Sequence, residues 1–399
     1  MKVFAYLKMV LFFAVLMLVI SCQIQEVPFT KVLVAITLPE NALQAGKDSF
    51  LVKLTNISTG RVQVDTTDIE GKIQLDVEEG VYDLEVTGKK TLTTIVDNGS
   101  TQKVFKQEVD IRGLLEKALV TGEQIELNIE MEIAQKGNGF VIQEVYFAGS
   151  TTPANGNYYQ DQFIRIFNNS DSVLYADGLS IVESNHLNSS SIAEYANFPD
   201  DLIVGAVYTI PGNGKTYPLE PGKSIVIASL AIDHKTANAN SPVDLSKADF
   251  EWYDAGKDVD VPEVTNMIRN FCYSNTIWLF HVRGSHSYAI FKTEENYSDF
   301  INKNTVLIPT ASGSSAARVK VANSMILDGV DLGSAGNIGS KSLASSIDVS
   351  FTYCDGSYSA KSVRRKVLKR ENGRVYLQDT NNSAQDFIPN AIPKPWDVE

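Results

Sequence analysis

Apolar residues recur at every second position through the first third of the chain. Val32, Val34 and Ile36 alternate with polar neighbours, as do Ile73, Leu75 and Val77, and then Ile125, Leu127, Ile129, Met131 and Ile133. A period of two puts one face of a strand in a core and the other in water, so residues 31–135 are expected to form one sheet-built domain. Turn residues separate the runs at Ser58-Thr59-Gly60, Asp68-Ile69-Glu70-Gly71 and Glu78-Glu79-Gly80. Arg112 to Val120 departs from the alternation and reads as a single helical turn between strands. Lys136-Gly137-Asn138-Gly139 supplies a flexible break, and a second domain is expected over residues 140–399. Its strands are read at Phe140 to Phe147, at Phe163 to Phe167 before Asn168-Asn169-Ser170-Asp171, and at Leu219 to Ala228 behind the Pro221-Gly222 turn. Asn275 to Phe280 and Ser287 to Phe291 read as a hairpin around Arg283-Gly284. Glu183 to Val207 and His234 to Asn270 read as polar, loop-like insertions. The expectation is an all-β chain of two β-sandwich (Ig-like) domains.

Composition narrows the classes. The 399 residues are 44% hydrophobic and 21% charged, which suits globular domains and argues against wholesale disorder. A formal net charge of −13 repels phosphate backbones, so nucleic acid is not expected as a partner. At the N-terminus Lys2 and Lys8 precede an apolar run from Met9 to Ile20, closed by Val19-Ile20-Ser21-Cys22. That order reads as a lipoprotein signal over residues 1–21, with the Cys22 thiol accepting diacylglycerol and residues 22–30 as a tether. The competing reading is a plain N-terminal anchor with an incidental cysteine. An outer-membrane location follows as the expectation, with the periplasmic or cell-surface face left open. Cys272 and Cys354 could pair or could fill a core, and no Cys-x-x-Cys motif is present.

Several stretches carry a family likeness. Thr66 to Val86, with Asp68-Ile-Glu-Gly71 and then Gly80-Val-Tyr-Asp-Leu-Glu-Val86, is similar to the prealbumin-like or carboxypeptidase-regulatory-like β-sandwich. The Phe140–Phe147 and Phe163–Asn169 stretches, Leu219-Glu-Pro-Gly222 and Asp379-Thr-Asn-Asn-Ser-Ala-Gln-Asp-Phe387 resemble the lamin-tail-like β-sandwich. Two positions depart from the second pattern: Arg165 stands where an acid is usual, and Leu179 follows Gly178 where tryptophan is common. After Cys22 the layout resembles the two-domain Bacteroidetes lipoproteins of a family of unknown function (DUF4876-like). That resemblance implies sandwiches with a spacer or adhesive role in the first domain.

Candidate chemistry is sparse. Asp379-x-Asn381-x-Ser383 has the opening spacing of a calcium loop, but Ala384 and Asn390 occupy places that need glycine and glutamate, so the stretch reads as a turn pinned by its own side chains. His281 and His286 flank a turn without a carboxylate at ligand spacing, and His186 and His234 stand alone. Ser312 to Ser315 lacks a Gly-x-Ser-x-Gly elbow, and Gly333 to Gly339 lacks the lysine-serine helix start of a phosphate loop. Asp258 with Asp260 and Asp328 with Asp331 are the acid pairs a hydrolase would need, though loop acids are common. Arg364-Arg365-Lys366 with Lys369-Arg370 is the basic cluster. Tyr158, Tyr159, Trp252 and Tyr253 are the candidate ligand-binding aromatics, while Trp278 is read as core. The reading is a non-catalytic, lipid-anchored binding or adhesion module without cofactor, accessory to an outer-membrane uptake system or surface assembly. Its candidate partners are an outer-membrane transporter or a surface glycan or protein. The rivals are a hydrolase using loop carboxylates and a structural spacer.

Overall fold

A computed structural model describes residues 28–39, 48–97, 102–134, 139–187, 198–310, 313–334 and 341–396. The signal segment, Cys22 and Lys136-Gly137-Asn138 lie outside the described residues. The chain divides into two compact units, one reaching Lys90 and resuming at Asp110–Ile133, the other comprising Thr91–Val109 and everything from Ala134. The sequence reading had kept 91–109 with the first domain.

In the first unit Phe29–Thr37 sits between Lys72–Glu78, antiparallel, and Gln124–Glu130, parallel. Another sheet, whose two long strands include residues that fall in the other unit, runs in the order Val62–Thr66, Leu51–Asn56, Gly80–Asp97, Gln102–Val120, Glu132–Ile133. The alternation read from sequence matches the burial pattern at Val32, Val34, Leu75, Val77, Leu127, Ile129, Met131 and Ile133, which are buried, while Ile36, Ile73 and Ile125 at the run ends are half-buried. The helical turn expected at Arg112–Val120 is absent, because that stretch continues the strand Gln102–Val120. Ile111 and Gly113 point inward, then Ala118 and Val120 do, and Lys117 between them holds φ at +55°. An irregularity that shifts the inward positions by one breaks a two-residue period in the way a turn of helix would.

The second unit is a sandwich. One sheet runs Thr265–Asn266, Phe250–Glu251, Ser224–Ala228, Phe163–Asn168, Phe140–Tyr146, Ser362–Arg365, Phe387–Ala391. The other runs Thr305–Pro309, Ser315–Ala322, Asp201–Thr209, Ser180–Ser184, Ser287–Phe291, Ile326–Ser334, Thr352–Cys354, with Ile268–Cys272 also on Asp201–Thr209. Between the sheets lie Ile142, Val145, Ile164, Ile166, Ile225 and Ile227 from one side and Ile181, Ala206, Tyr208, Tyr288, Ile290 and Leu332 from the other. The outer faces are covered too. Phe300, on the helix Tyr297–Asn304, packs with Val182, Val207 and Phe291, and Val243, Leu245 and Ala248 pack on Tyr146, Phe163 and Val226. Burial on both faces explains why these strands read as near-continuous apolar runs.

Two local readings need correction. Asp201–Thr209 begins inside the insertion expected over Glu183 to Val207 yet is an interior strand of its sheet, buried from Leu202 to Thr209. Asn275–Phe280 does not form a strand. Its backbone bonds go to side chains: Trp278 N donates to Asp254, and Gln162 accepts from Phe280 N at 2.9 Å and donates to its carbonyl at 2.8 Å. Borrowed partners let an extended apolar segment be buried without a ladder.

Candidate binding site

The four aromatics expected to meet a ligand are divided by the fold. Trp252 is wholly buried, which removes it as an exposed platform: its Nε1 donates to the Trp278 carbonyl at 3.0 Å, and its ring lies 4.7 Å from Phe280 and 5.3 Å from Trp278. Tyr208 stacks on Trp278 at 4.5 Å and donates to Asp254 at 2.6 Å, so the expected core residue and the expected binder share one aromatic cluster. Tyr253 is half-buried. Tyr158 is half-buried and bonds His234 Nδ1 at 2.7 Å, while Tyr159 beside it is 38% exposed. The Tyr158 hydroxyl is thereby committed to the fold. His234 is fixed from its other side, where Nε2 bonds the Leu230 carbonyl at 2.8 Å.

The acids suspected of chemistry are each engaged by partners within the fold. Asp328 and Asp331 sit three apart on Ile326–Ser334, each buried against its own cation: Arg365 Nη2 at 2.6 Å from Asp328, and Lys341 Nζ on Asp331. Arg365 is also 2.9 Å from Asp379 and 3.6 Å from Asp386, and its guanidinium lies 4.6 Å from the Phe387 ring. The Asp379–Phe387 motif therefore wraps a buried guanidinium and does not form a calcium loop. Burial pushes the Asp328 carboxyl up to about 7 and that of Asp386 up to about 6, with Arg365 pulling both down. Asp258 caps Val259 N and Asp260 accepts from Asn266. His281 and His286 rings meet edge to face at 5.4 Å, and burial pushes both down to about 4. Among the described residues no group of three His, Cys, Asp or Glu could hold a metal ion. Cys272 and Cys354 are free thiols.

The basic cluster is split by strand geometry. Consecutive residues of a strand point to opposite faces, so Arg365 goes inward while Arg364 joins a cross-strand row with Glu144 and Arg165. This row holds the C-terminal segment against the sheet. Arg165 Nη1 and Nη2 donate to the carbonyls of Lys394 and Trp396 at 2.9 and 3.2 Å, its Nε donates to Ser224 Oγ at 2.8 Å, and Arg364 donates to the Ile392 carbonyl at 3.0 Å. Between them Lys394 N donates to Glu144, whose carboxyl burial pushes up to about 7 against the pull of Ser362 and Arg364. An arginine in place of the acid of the lamin-tail pattern thus has a local reason: it straps down residues 394–396.

Beside that strap opens a cleft of about 580 Å³, lined by Arg165, Lys223, Arg370 and Arg374 against the single carboxylate of Asp249, with Pro221, Pro395 and Trp396 on its walls. Two turns build it. Asn372 and Gly373 both take positive φ, at +51° and +77°, closing the hairpin of Val367–Glu371 and Arg374–Leu377 in the manner of a type I′ turn. Gly222, at φ +74°, lets Arg374 lie across it: a Cβ there would stand 3.0 Å from Arg374 Cγ. Tyr376 supports the guanidinium at 4.2 Å, and Asp171 and the Ser170 carbonyl accept from its two terminal nitrogens. Lys223 and Arg370 are exposed and make no side-chain hydrogen bond or ion pair among the described residues. Sequence reasoning placed Arg370 in a basic cluster and saw Arg165 as a departure, but it missed Lys223, Arg374 and Trp396. The Asn372-Gly373 turn between two arginines was the available signal. A second cleft, of about 750 Å³, is lined by Asp200, Asp201, Asn323, Ser324 and Asn381 among others.

Residues 220–394 match the family described as Protein of unknown function (DUF4876), in agreement with the likeness read from the sequence. Among solved structures, a DUF4876 family protein from Bacteroides thetaiotaomicron superposes with a TM-score of 0.61 at 24% identity, over 92% of this chain and 96% of that one, and shows the fold. Two chains from Bacteroides ovatus, each described as a "putative adhesin", are 9% identical with TM-scores of 0.23 and 0.20, covering 75% and 76% of this chain and 86% and 95% of theirs. Those scores carry no argument. A search of curated proteins found no match.

Proposed function

For a chain that carries a DUF4876 domain over residues 220–394 on an all-β frame, we propose a non-catalytic binding module of the cell envelope, held at the outer membrane by acylation of Cys22. The observation that carries the reading is a contrast within the second unit. Four of its buried acids are tied up in the fold: Asp328 and Asp331 by their own cations, Asp348 by Ser383 and Ser350, and Asp254 by Tyr208 and Arg269. Its cleft, by comparison, presents Lys223 and Arg370 unpaired. A hydrolase needs two carboxyls facing a common substrate space, and Asp328 and Asp331 are each engaged with a separate cation. Loops on a rigid sandwich are where binding residues are usually displayed. Accessory service to an envelope transporter or a surface assembly fits such a module. The test is retention of the full chain by isolated envelope fractions, with Cys22→Ala releasing it to the soluble fraction. A Cys22→Ala chain that retains no envelope component in pull-downs would remove the binding reading.

A further inference from the structure

The cleft beside the C-terminal strap is a charge anomaly. On a chain of net charge −13, four cations line one depression with one carboxylate among them, and that carboxylate, Asp249, is occupied by Val226 N at 2.8 Å. Burial pushes the Asp249 carboxyl up, with Arg165 pulling it down. Asp171, which is not among the lining residues, is engaged by Arg374. Arg374 Nε is buried with no acceptor, so the guanidinium is incompletely satisfied by the protein. Lys223 and Arg370 add a solvated ammonium and a solvated guanidinium head with no partner among the described residues. Like charges gathered in a recess focus the field on whatever enters it. The wall is apolar and flat where Pro221, Pro395 and Trp396 contribute. Trp396 is 38% exposed, yet its Nε1 donates to the Asp244 carbonyl at 2.8 Å and its own carbonyl accepts from Arg165. A tryptophan held in place while its ring stays wet is a ready surface for a sugar ring, since its large apolar face remains to be covered.

Resting on the binding reading above, we propose that this cleft binds an acidic saccharide, the carboxylate or sulfate group meeting Lys223 and Arg370 and the sugar ring lying against Trp396. Arg165 and Arg374, already tied to the fold, act as fixed positive charges behind the ligand. Exposed cation–oxyanion contacts are individually weak and screened by salt, so affinity is expected to fall steeply between low and physiological ionic strength.

The test is binding of the Cys22→Ala full chain to chondroitin sulfate, polygalacturonate and neutral dextran, read by titration calorimetry and by acrylamide quenching of tryptophan. Two of the three tryptophans, Trp252 and Trp278, are buried, so ligand-dependent protection from quencher reports Trp396. Binding to one or both polyanions but not to dextran supports the proposal, as does a loss of roughly tenfold or more in Lys223→Glu/Arg370→Glu, about 1.4 kcal/mol. These two exposed positions leave the fold intact, which circular dichroism verifies. Trp396→Ala should weaken saccharide binding further than it weakens binding of inorganic sulfate. Beyond Trp396 the chain carries Asp397 and Glu399, and a chain ending at Trp396 should bind polyanion at least as well. Equal binding of dextran, indifference to the double charge reversal, or tighter binding to anionic phospholipid vesicles than to either polyanion overturns the proposal. If envelope retention persists while both polyanions fail to bind, the binding module stands and the saccharide assignment falls.

Discussion

Replacing Arg365 with methionine removes the charge at the centre of the second unit while keeping most of the volume. Three carboxyls, of Asp328, Asp379 and Asp386, lie within 3.6 Å of its guanidinium, and all four side chains are no more than 3% exposed. Breaking a buried pair from one side leaves uncompensated charge and costs about 3–5 kcal/mol. The backbone adds to this: Arg365 Nε donates to the Ile142 carbonyl at 2.8 Å and Nη1 to that of Gln378 at 3.1 Å, and both acceptors lose a partner. With a urea slope of about 3 kcal/mol/M, the unfolding midpoint of the unit should fall by about 1–1.7 M. Trp252 and Trp278, buried in that unit, supply the fluorescence signal.

The pH dependence makes this prediction specific. The carboxyls of Asp328 and Asp386 stand above the ordinary carboxylate range because burial disfavours their charge. The folded protein therefore holds these protons more tightly than the unfolded chain does. Their contribution is fully present below the ordinary range near 4 and is lost as pH rises through about 6 and 7. Arg365 limits that loss, so without it both carboxyls ionise at higher pH and the deficit of Arg365→Met grows from pH 5 to pH 8, by up to about 1.4 kcal/mol per pH unit for each proton involved. Adding Asp328→Asn and Asp386→Asn to the methionine variant should recover much of the deficit at pH 8. A deficit below about 1 kcal/mol, or one that stays flat from pH 5 to pH 8, would refute the reasoning.

Trp252→Ala should destabilise the second unit by about 3–5 kcal/mol in urea melts, since a buried indole leaves a cavity among Trp278, Phe280 and Tyr208, and it should leave polyanion affinity unchanged. Arg165→Ala should raise hydrogen exchange at the Lys394 and Trp396 amides, in the segment its guanidinium straps, before it affects the strands. His281 and His286 are pushed down to about 4 by burial, so their contribution is full above the ordinary histidine range near 6.5 and is lost as pH falls from there through 4. His281→Asn/His286→Gln should flatten the acid limb of a thermal-stability profile, and an unaltered limb would contradict the assignment.

Which features were legible in the sequence follows from how far each residue's partners lie along the chain. Phe140–Tyr146 and Phe163–Asn168 were readable because their apolar runs need only a sheet on one side and a cover on the other. Asp201–Thr209 is just as apolar but was hidden by polar flanks, so a long window averaged it away. Asn275–Phe280 misled in the opposite sense: a strand-like composition is satisfied by Gln162, 118 positions distant from Phe280, and by Asp254. No local pattern encodes such a partner. The same logic governs chemistry. Trp252 sits among Glu251, Tyr253 and Asp254 and looked wet, yet Tyr208, Trp278 and Phe280 close over it. Arg364-Arg365-Lys366 looked like one patch, yet strand alternation sends Arg365 into the interior and leaves Arg364 in the row with Glu144. The cleft that does concentrate positive charge takes Arg165, Lys223, Arg370 and Arg374 from three separated stretches. Counting basic residues along the chain therefore finds Arg370 but none of the other three cations beside it. The usable signal lay in the turns: a Pro221-Gly222 step that leaves space for one arginine, and an Asn372-Gly373 hairpin that carries that arginine to it.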